Sequence, residues 1–474
     1  MLEHRTAGVL LPVFSLPGPY GIGSLGKEAR RFVDFLAQAG QSHWQILPLV
    51  PPGEGNSPYM SPSAFAGNPL LIDLEELHSL GLLTQAELDT AKWDDPDRVN
   101  YSFLHETRIP LLKKAFARSG PLTADWPWLR DYTAFMARHD QYGTAWQSWP
   151  SPLPDPDPEA VAFHTFLQVT FFRQWHALKA YANERGISLI GDMPIYVSAD
   201  SAEVFCHPEL FQLDEHFAPR AVAGVPPDAF SRIGQLWGNP LYDWEGQRQA
   251  VFAWWKTRME WASTLYDMVR IDHFRGFHTY WSVPANAVDA RDGHWEKGPG
   301  QALVDFLRSQ VPQLSYIAED LGDLDSEALD FIRKSGLPGM KVLVYAFDPV
   351  GESAYLPHNG IPNSIAYTGT HDTPTFVQWL FEEASPAERD FASAYLRLRG
   401  EEGFGWGAIA GAWASPCRLA ITPFQDILGL GADARMNHPG TIGPQNWSWR
   451  VREAAVNHDV ASKLRAITRT YRRC

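Results

Sequence analysis

Short runs of apolar, β-branched and aromatic residues recur along this chain, separated by longer stretches with apolar positions every three to four residues. The first pattern fits strands buried on both faces, and the second fits helices with one apolar side. Strands are predicted over residues 7–14, 42–49 and 187–197, in runs ending near Asp272 and Glu319, and over 340–347, 364–370 and 418–424. Helices are predicted over 27–39, 159–185, 251–265, 301–309 and 451–471. Eight strands alternating with helices imply an α/β fold, a (β/α)8 TIM barrel with helical and loop insertions around the C-terminal face of the barrel. The expectation is one catalytic domain over 1–474, carrying a mainly helical insertion at 51–158 and a loop-rich insertion at 198–250 that lines the cleft. The stretch PSPLPDPDP ends the first insertion, because alternating prolines exclude a regular helix.

Charge narrows the partners. Forty basic against 55 acidic residues leave a net charge of -15, which disfavours nucleic acid, since phosphate neutralisation needs a basic face. The basic run Lys463, Arg465, Arg469, Arg472 and Arg473 reads as the solvated face of the closing helix. Cys206, Cys417 and Cys474 are widely spaced and show no metal-ligand pattern, so free thiols are expected. The N-terminal residues MLEHRTAGVLLPVF lack the layout of a secretory signal. No apolar stretch reaches the ~18 residues that span a bilayer. A cytoplasmic protein with no membrane partner is expected. The 19 Trp, 16 Tyr and 26 Phe belong mostly to the core, but some could serve as flat platforms for the C–H face of a sugar ring.

Three acidic residues close three of the strand-like runs: Asp272 in VRIDHFRGF, Glu319 in YIAEDLG and Asp372 in AYTGTHDTP. Retaining cleavage of a glycosidic bond needs a nucleophilic carboxylate and a second carboxyl that serves first as acid and then as base. Arg270 lies two residues before Asp272 and would share its face of the strand, where a guanidinium keeps a carboxylate ionised. Glu319 ends an apolar run, and a partly desolvated carboxyl holds its proton to higher pH. Taken singly, the Arg–Asp pair fits a structural ion pair, Glu319 a capping residue and Asp372 a helix N-cap.

Together, GDMPIYV, VRIDHFRGF, IAEDLG and YTGTHDT resemble the four short regions of the α-amylase clan of retaining α-glucan enzymes. The blocks NSPYMSPSAFAGNPLLIDL, GQLWGNPLYDW, LPHN and QDILGLGADARMNHPGT extend the match over nearly the whole chain. With them the chain resembles the amylomaltase family of 4-α-glucanotransferases, also called disproportionating enzymes. The resemblance implies transfer of an α-1,4-glucan segment from a malto-oligosaccharide, starch or glycogen-type donor to the 4-hydroxyl of glucose or another glucan. It implies Asp272 as nucleophile, Glu319 as acid/base and Asp372 as transition-state stabiliser. Arg270, His371 and Asp192 would hold the donor sugar, and Tyr59 would stack beneath it. Gln235, Trp237, Asp348 and Asn437 would line the cleft, and Phe230 would cover it and position an acceptor. For Tyr59 and Trp237 the competing reading is core packing. No metal or organic cofactor is expected, because the carboxylates carry the whole proton and bond inventory. A monomer or weak homodimer is expected. Some relatives carry an aromatic residue for a remote glucan site where this chain has Glu54, which offers no stacking face. The competing functions are an α-amylase-type retaining hydrolase and a non-catalytic glucan-binding barrel.

Overall fold

The structure, a computed structural model, describes residues 4–227, 231–322 and 324–474. Twelve strands occur among them. β1 (Thr6–Leu10), β2 (His43–Gln45) and β3 (Ser188–Met193) come first, followed by β4 (Ala221–Val225) and β5 (Gln235–Pro240). Next are β6 (Met268–Ile271), β7 (Thr279–Pro284), β8 (His294–Lys297) and β9 (Ser315–Ala318). The last are β10 (Gly339–Val342), β11 (Ser364–Tyr367) and β12 (Leu419–Pro423).

Eight of these form one sheet in the order β10-β11-β12-β1-β2-β3-β6-β9. Every neighbouring pair in it is parallel. Between the two end strands, the Ala318 N–H donates to the carbonyl of Pro338 at 3.0 Å, drawing the sheet towards closure. This is the expected (β/α)8 barrel. All eight predicted strands are present, each shorter than its apolar run. The run 340–347 shows why: β10 stops at Val342, but the helical turn Leu343–Tyr345 that follows still buries Leu343 and Val344. Burial continues where pairing has ended, and hydropathy reports only burial.

Helices cover the barrel's outside. The helix Lys27–Gln38 buries Ala29, Phe32, Val33 and Leu36, the three-and-four spacing of one face. Phe32 meets Trp44 of β2 edge-on at 5.1 Å and Phe424 beyond β12 at 5.5 Å. The segment 51–158 carries the helices Leu74–Ser79, Gln85–Asp89, Tyr101–Ser119 and Leu129–Tyr142. No helix among the described residues is long and apolar enough to cross a membrane.

Two expectations need correction. The segment 198–250 is not only loop: it supplies β4 and β5, which join β7 and β8 in an antiparallel sheet ordered β5-β4-β7-β8. β4 pairs with β7 some 60 positions away, Val222 with Val283, and β5 pairs with β4 across a register shift, with Gly238 at φ 78°. Local alternation therefore never reveals them. The second correction concerns the C-terminal basic run. The closing helix is His458–Thr470, capped by Asn457, whose side chain accepts the Val460 N–H at 3.0 Å. Lys463, Arg465, Arg469 and Arg472 are exposed as expected, but Arg473 is fully buried. Arg472, at φ 55°, turns the chain inward. Arg473 then donates to the carbonyls of Trp413 at 2.9 Å, Thr6 at 3.0 Å, Ser415 at 3.0 Å and Cys417 at 2.9 Å. Burial pushes its pKa down to about 9. Cys206, Cys417 and Cys474 are unpaired thiols.

Arg473→Met should therefore remove a donor from these four carbonyls at once, of which those of Trp413 and Ser415 keep a second donor in Arg5. We expect a loss of ~2–4 kcal/mol, read as a lower urea midpoint. Transfer activity per folded molecule should be unchanged, because the residue lies at the start of β1 and β12, away from their C-terminal ends.

Candidate active site

At the C-terminal ends of β3 and β6 the two strands pair in register, with Asp192 beside Arg270. Arg270 is 3% exposed, and its Nη1 lies 2.7 and 2.8 Å from the two oxygens of Asp192 and 3.0 Å from Oδ1 of Asp272. Gly191 makes room beside this pair: a Cβ there would stand 2.4 Å from the ring of Tyr266. Arg270 thus carries Asp192 and Asp272 on one guanidinium nitrogen.

Glu319 follows β9, the other neighbour of β6. Its carboxylate accepts two backbone N–H groups, from His273 at 2.8 Å and from Leu321 at 2.7 Å. Burial pushes Glu319 up to about 7, against the attraction of Arg270. Burial also pushes Asp272 up to about 6, and the neighbouring Asp192 and Asp372 add to the shift. This corrects the expectation that Arg270 would dominate at Asp272. The guanidinium opposes the rise, but desolvation is larger. Asp272 keeps a quarter of its side chain accessible (25%). Burial raises both carboxyls of the pair.

The third carboxylate behaves differently. Asp372 follows β11 in the loop THDT, and its Oδ2 lies 3.1 Å from Nε2 of His371 while its Oδ1 accepts from Asn437 at 2.8 Å. Burial alone would raise its pKa, but His371 and Asn437 outweigh burial and hold it well below the usual range. His371 moves the opposite way: burial opposes its charge, but Asp372 outweighs that and raises it. Tyr59 joins the two halves of the site. Its hydroxyl donates to Asp192 Oδ2 at 2.8 Å and sits 2.8 Å from Nε2 of His371, with the two rings stacked at 5.4 Å.

Asp192, Arg270, Asp272, His371, Asp372, Tyr59 and Asn437 thus form one connected cluster, with Glu319 on the next strand. Trp237, on β5, stands edge-on to His273 at 4.9 Å, and its Nε1–H donates to Gln235 Oε1 at 3.2 Å. The antiparallel sheet therefore brings both to the residue following Asp272. Asp348 is exposed, and its Oδ1 accepts the Val350 N–H at 2.8 Å, closing a turn. No described contact ties it to the cluster. Phe230 lies outside the described residues. Glu54 is exposed, in a helical turn.

Sequence reasoning missed three neighbours. Tyr345, after β10, has its phenol pushed up by burial and then by Asp372 and Glu319, which places it by the acids. Its aromatic character in VYAFD, three residues before Asp348, was the available signal. Arg435, two residues before Asn437, donates to the carbonyl of Asn437 at 2.9 Å and to Glu383 at 2.9 Å. His273 had no signal beyond its adjacency to Asp272. No group of three His, Cys, Asp or Glu residues among those described is placed to hold a metal ion.

Residues 11–456 match the profile of glycoside hydrolase family 77, described as 4-alpha-glucanotransferase. The chain is 41% identical to the 4-alpha-glucanotransferase of Clostridium butyricum, over 98% of this chain and 99% of the relative. It is 44% identical to that of Thermus thermophilus, over 98% of each. The amylomaltase of Streptococcus agalactiae in complex with acarbose superposes with a TM-score of 0.94 at 39% identity, over 99% of each chain.

Removing one hydroxyl tests the link between the halves of the cluster. Tyr59→Phe keeps the stacked ring but frees Asp192 and His371 from their common partner. We expect kcat/KM to fall about tenfold, the worth of one charged hydrogen bond, with the thermal midpoint nearly unchanged. A steady-state series on maltotriose beside a melting curve reads both.

Proposed function

The chain belongs to glycoside hydrolase family 77, the 4-alpha-glucanotransferases, and from that premise we propose that Asp272 is its nucleophile and Glu319 its acid/base. The enzyme is a transferase acting on α-1,4-glucans. Asp272 attacks the anomeric carbon of the donor sugar as the bond to the departing 4-oxygen breaks. Glu319 gives its proton to that oxygen, so the leaving chain departs with a free 4-hydroxyl. The product is a β-glucosyl ester on Asp272. Glu319, now ionised, takes the proton from the 4-hydroxyl of an acceptor, which attacks the same carbon and releases Asp272. Two inversions restore the α configuration.

The observation that carries this assignment is the placement of two buried carboxyls on neighbouring strands. Asp272 touches the Arg270 guanidinium, whereas Glu319 is fixed by two backbone N–H groups and is pushed up by burial. Asp372, kept ionised by His371 and Asn437, is suited to grip sugar hydroxyls and to stabilise the positive charge that develops at the anomeric carbon. Arg270 and Asp192 would fix the donor sugar and Tyr59 would support its ring. Trp237 and Gln235 would wall the cleft, with Asp348 and Asn437 along its margin and Phe230 over it. Donors would be malto-oligosaccharides and longer α-1,4-glucans; acceptors would be glucose or another glucan. Water competes for the glucosyl enzyme, and transfer prevails when an acceptor is held ready and water is kept out. A maltotriose digest resolved by chromatography separates the outcomes. Glucose with a ladder of longer chains marks transfer, whereas short products alone would mark a hydrolase.

The acidities predict the pH profile. Below about 6 Asp272 gains a proton and the nucleophile is lost. Above about 7 Glu319 loses the proton that the leaving oxygen requires. The profile of kcat/KM should therefore be a narrow bell with its limbs near these values. A broad plateau extending past pH 9 would contradict the assignment of Glu319.

Two substitutions separate the roles. Asp272→Asn should fold normally and lose all transfer, since an amide does not form the ester. Glu319→Gln should fail on maltotriose but still release fluoride from α-glucosyl fluoride, whose leaving group needs no proton. Equal losses on both substrates would count against Glu319 as the acid.

A further inference from the structure

Among the described residues, His273 is one of six non-glycine residues at positive φ, with φ 51° and ψ 45°. A left-handed conformation is unfavourable for a residue with a side chain, so something must hold it. The chain leaves β6 at Ile271, passes Asp272 and reverses at His273, whose carbonyl accepts the Gly276 N–H at 2.8 Å. The peptide plane just before that reversal points the His273 N–H at Oε2 of Glu319, 2.8 Å away. With the chain anchored on both sides, an extended residue here would have to rotate that plane or carry the strand on past Asp272.

The ring has its own restraints. It lies edge-on to Trp237 at 4.9 Å and over Gly276, where an added Cβ would be 3.1 Å from it. Its Nε2 is sealed from solvent without a hydrogen-bond partner. Burial lowers its pKa to about 4, so the ring is neutral at working pH.

We propose that His273 is a positioning residue for Glu319: its left-handed backbone lets the chain turn back while the peptide plane before it keeps its N–H on the acid/base, and its ring, seated against Trp237, holds that conformation. This rests on Glu319 being the acid/base, as proposed above. It also means that the wall of the cleft built by β5 is joined mechanically to the proton donor through one residue.

The test uses the alkaline limb of the kcat/KM profile. The His273 N–H stabilises the charged form of Glu319, so losing it should raise the pKa of Glu319 and move the limb upward. Arg270, Asp272 and the other donor at Leu321 also face Glu319, as do the more distant Tyr345 and Tyr355, and none is altered. His273→Val, whose branched side chain rejects positive φ, should shift the limb up by at least about 0.5 pH units. It should also cut kcat/KM on maltotriose about tenfold to a hundredfold, with a much smaller loss in the initial fluoride burst from α-glucosyl fluoride. His273→Asn, which tolerates this conformation, should keep the limb in place. Should the valine variant fail to fold, His273→Ala carries the same comparison against asparagine. An unmoved limb in the folded valine or alanine variant, or equal losses on both substrates, overturns the inference. In Glu319→Gln the alkaline limb should vanish. If it persists there, the acid/base assignment itself fails, whatever His273 does.

Discussion

A single buried guanidinium holds the top of this barrel together. Arg270 contacts Asp192 on the neighbouring strand and Asp272 at the end of its own. A cation in the barrel interior is tolerable only with such partners, and removing one partner of a buried pair typically costs ~3–5 kcal/mol. The rest of the site is built outward from it. Asp192, fixed by Arg270, fixes the Tyr59 hydroxyl; Tyr59 meets His371; His371 meets Asp372; and Asp372 is reached from the far loop by Asn437. Residues from three strand ends and two excursions of the chain thereby become one connected unit.

That unit solves an electrostatic problem. Three reactive carboxyls stand close together where water is scarce, and they cannot all ionise at equal ease. The structure separates them by their partners. Asp372 has an imidazole and an amide that hold it charged, whereas burial raises both Asp272, which shares the guanidinium, and Glu319, which accepts from two backbone donors.

The antiparallel sheet adds a wall to the barrel. β5 carries Gln235 and Trp237 and presses Trp237 against the residue after Asp272. A barrel strand end places a carboxylate, but it does not by itself exclude water or hold an acceptor. The wall packs on the barrel without being part of its hydrogen-bonded ring.

The sequence by itself determined the barrel and its three carboxylates. Strands buried on both faces must be apolar throughout, and the acids stand out because each ends such a run. The same blocks carried the family resemblance, and through it Tyr59, Arg270, His371 and Asn437. Tertiary structure decided what depends on distant partners. β4 pairs with β7 some 60 residues on, and β5 meets β4 across an irregular register, so no local period shows them. Arg473 looks like one more surface charge until a left-handed residue turns it onto the carbonyls beneath the barrel. The acidity of Asp272 also needed the fold: adjacency to Arg270 suggested a low value, but burial by surrounding elements outweighed it. His273 could not be singled out from sequence, because its contribution lies in a backbone angle and one N–H, and residue identity does not encode where an N–H points.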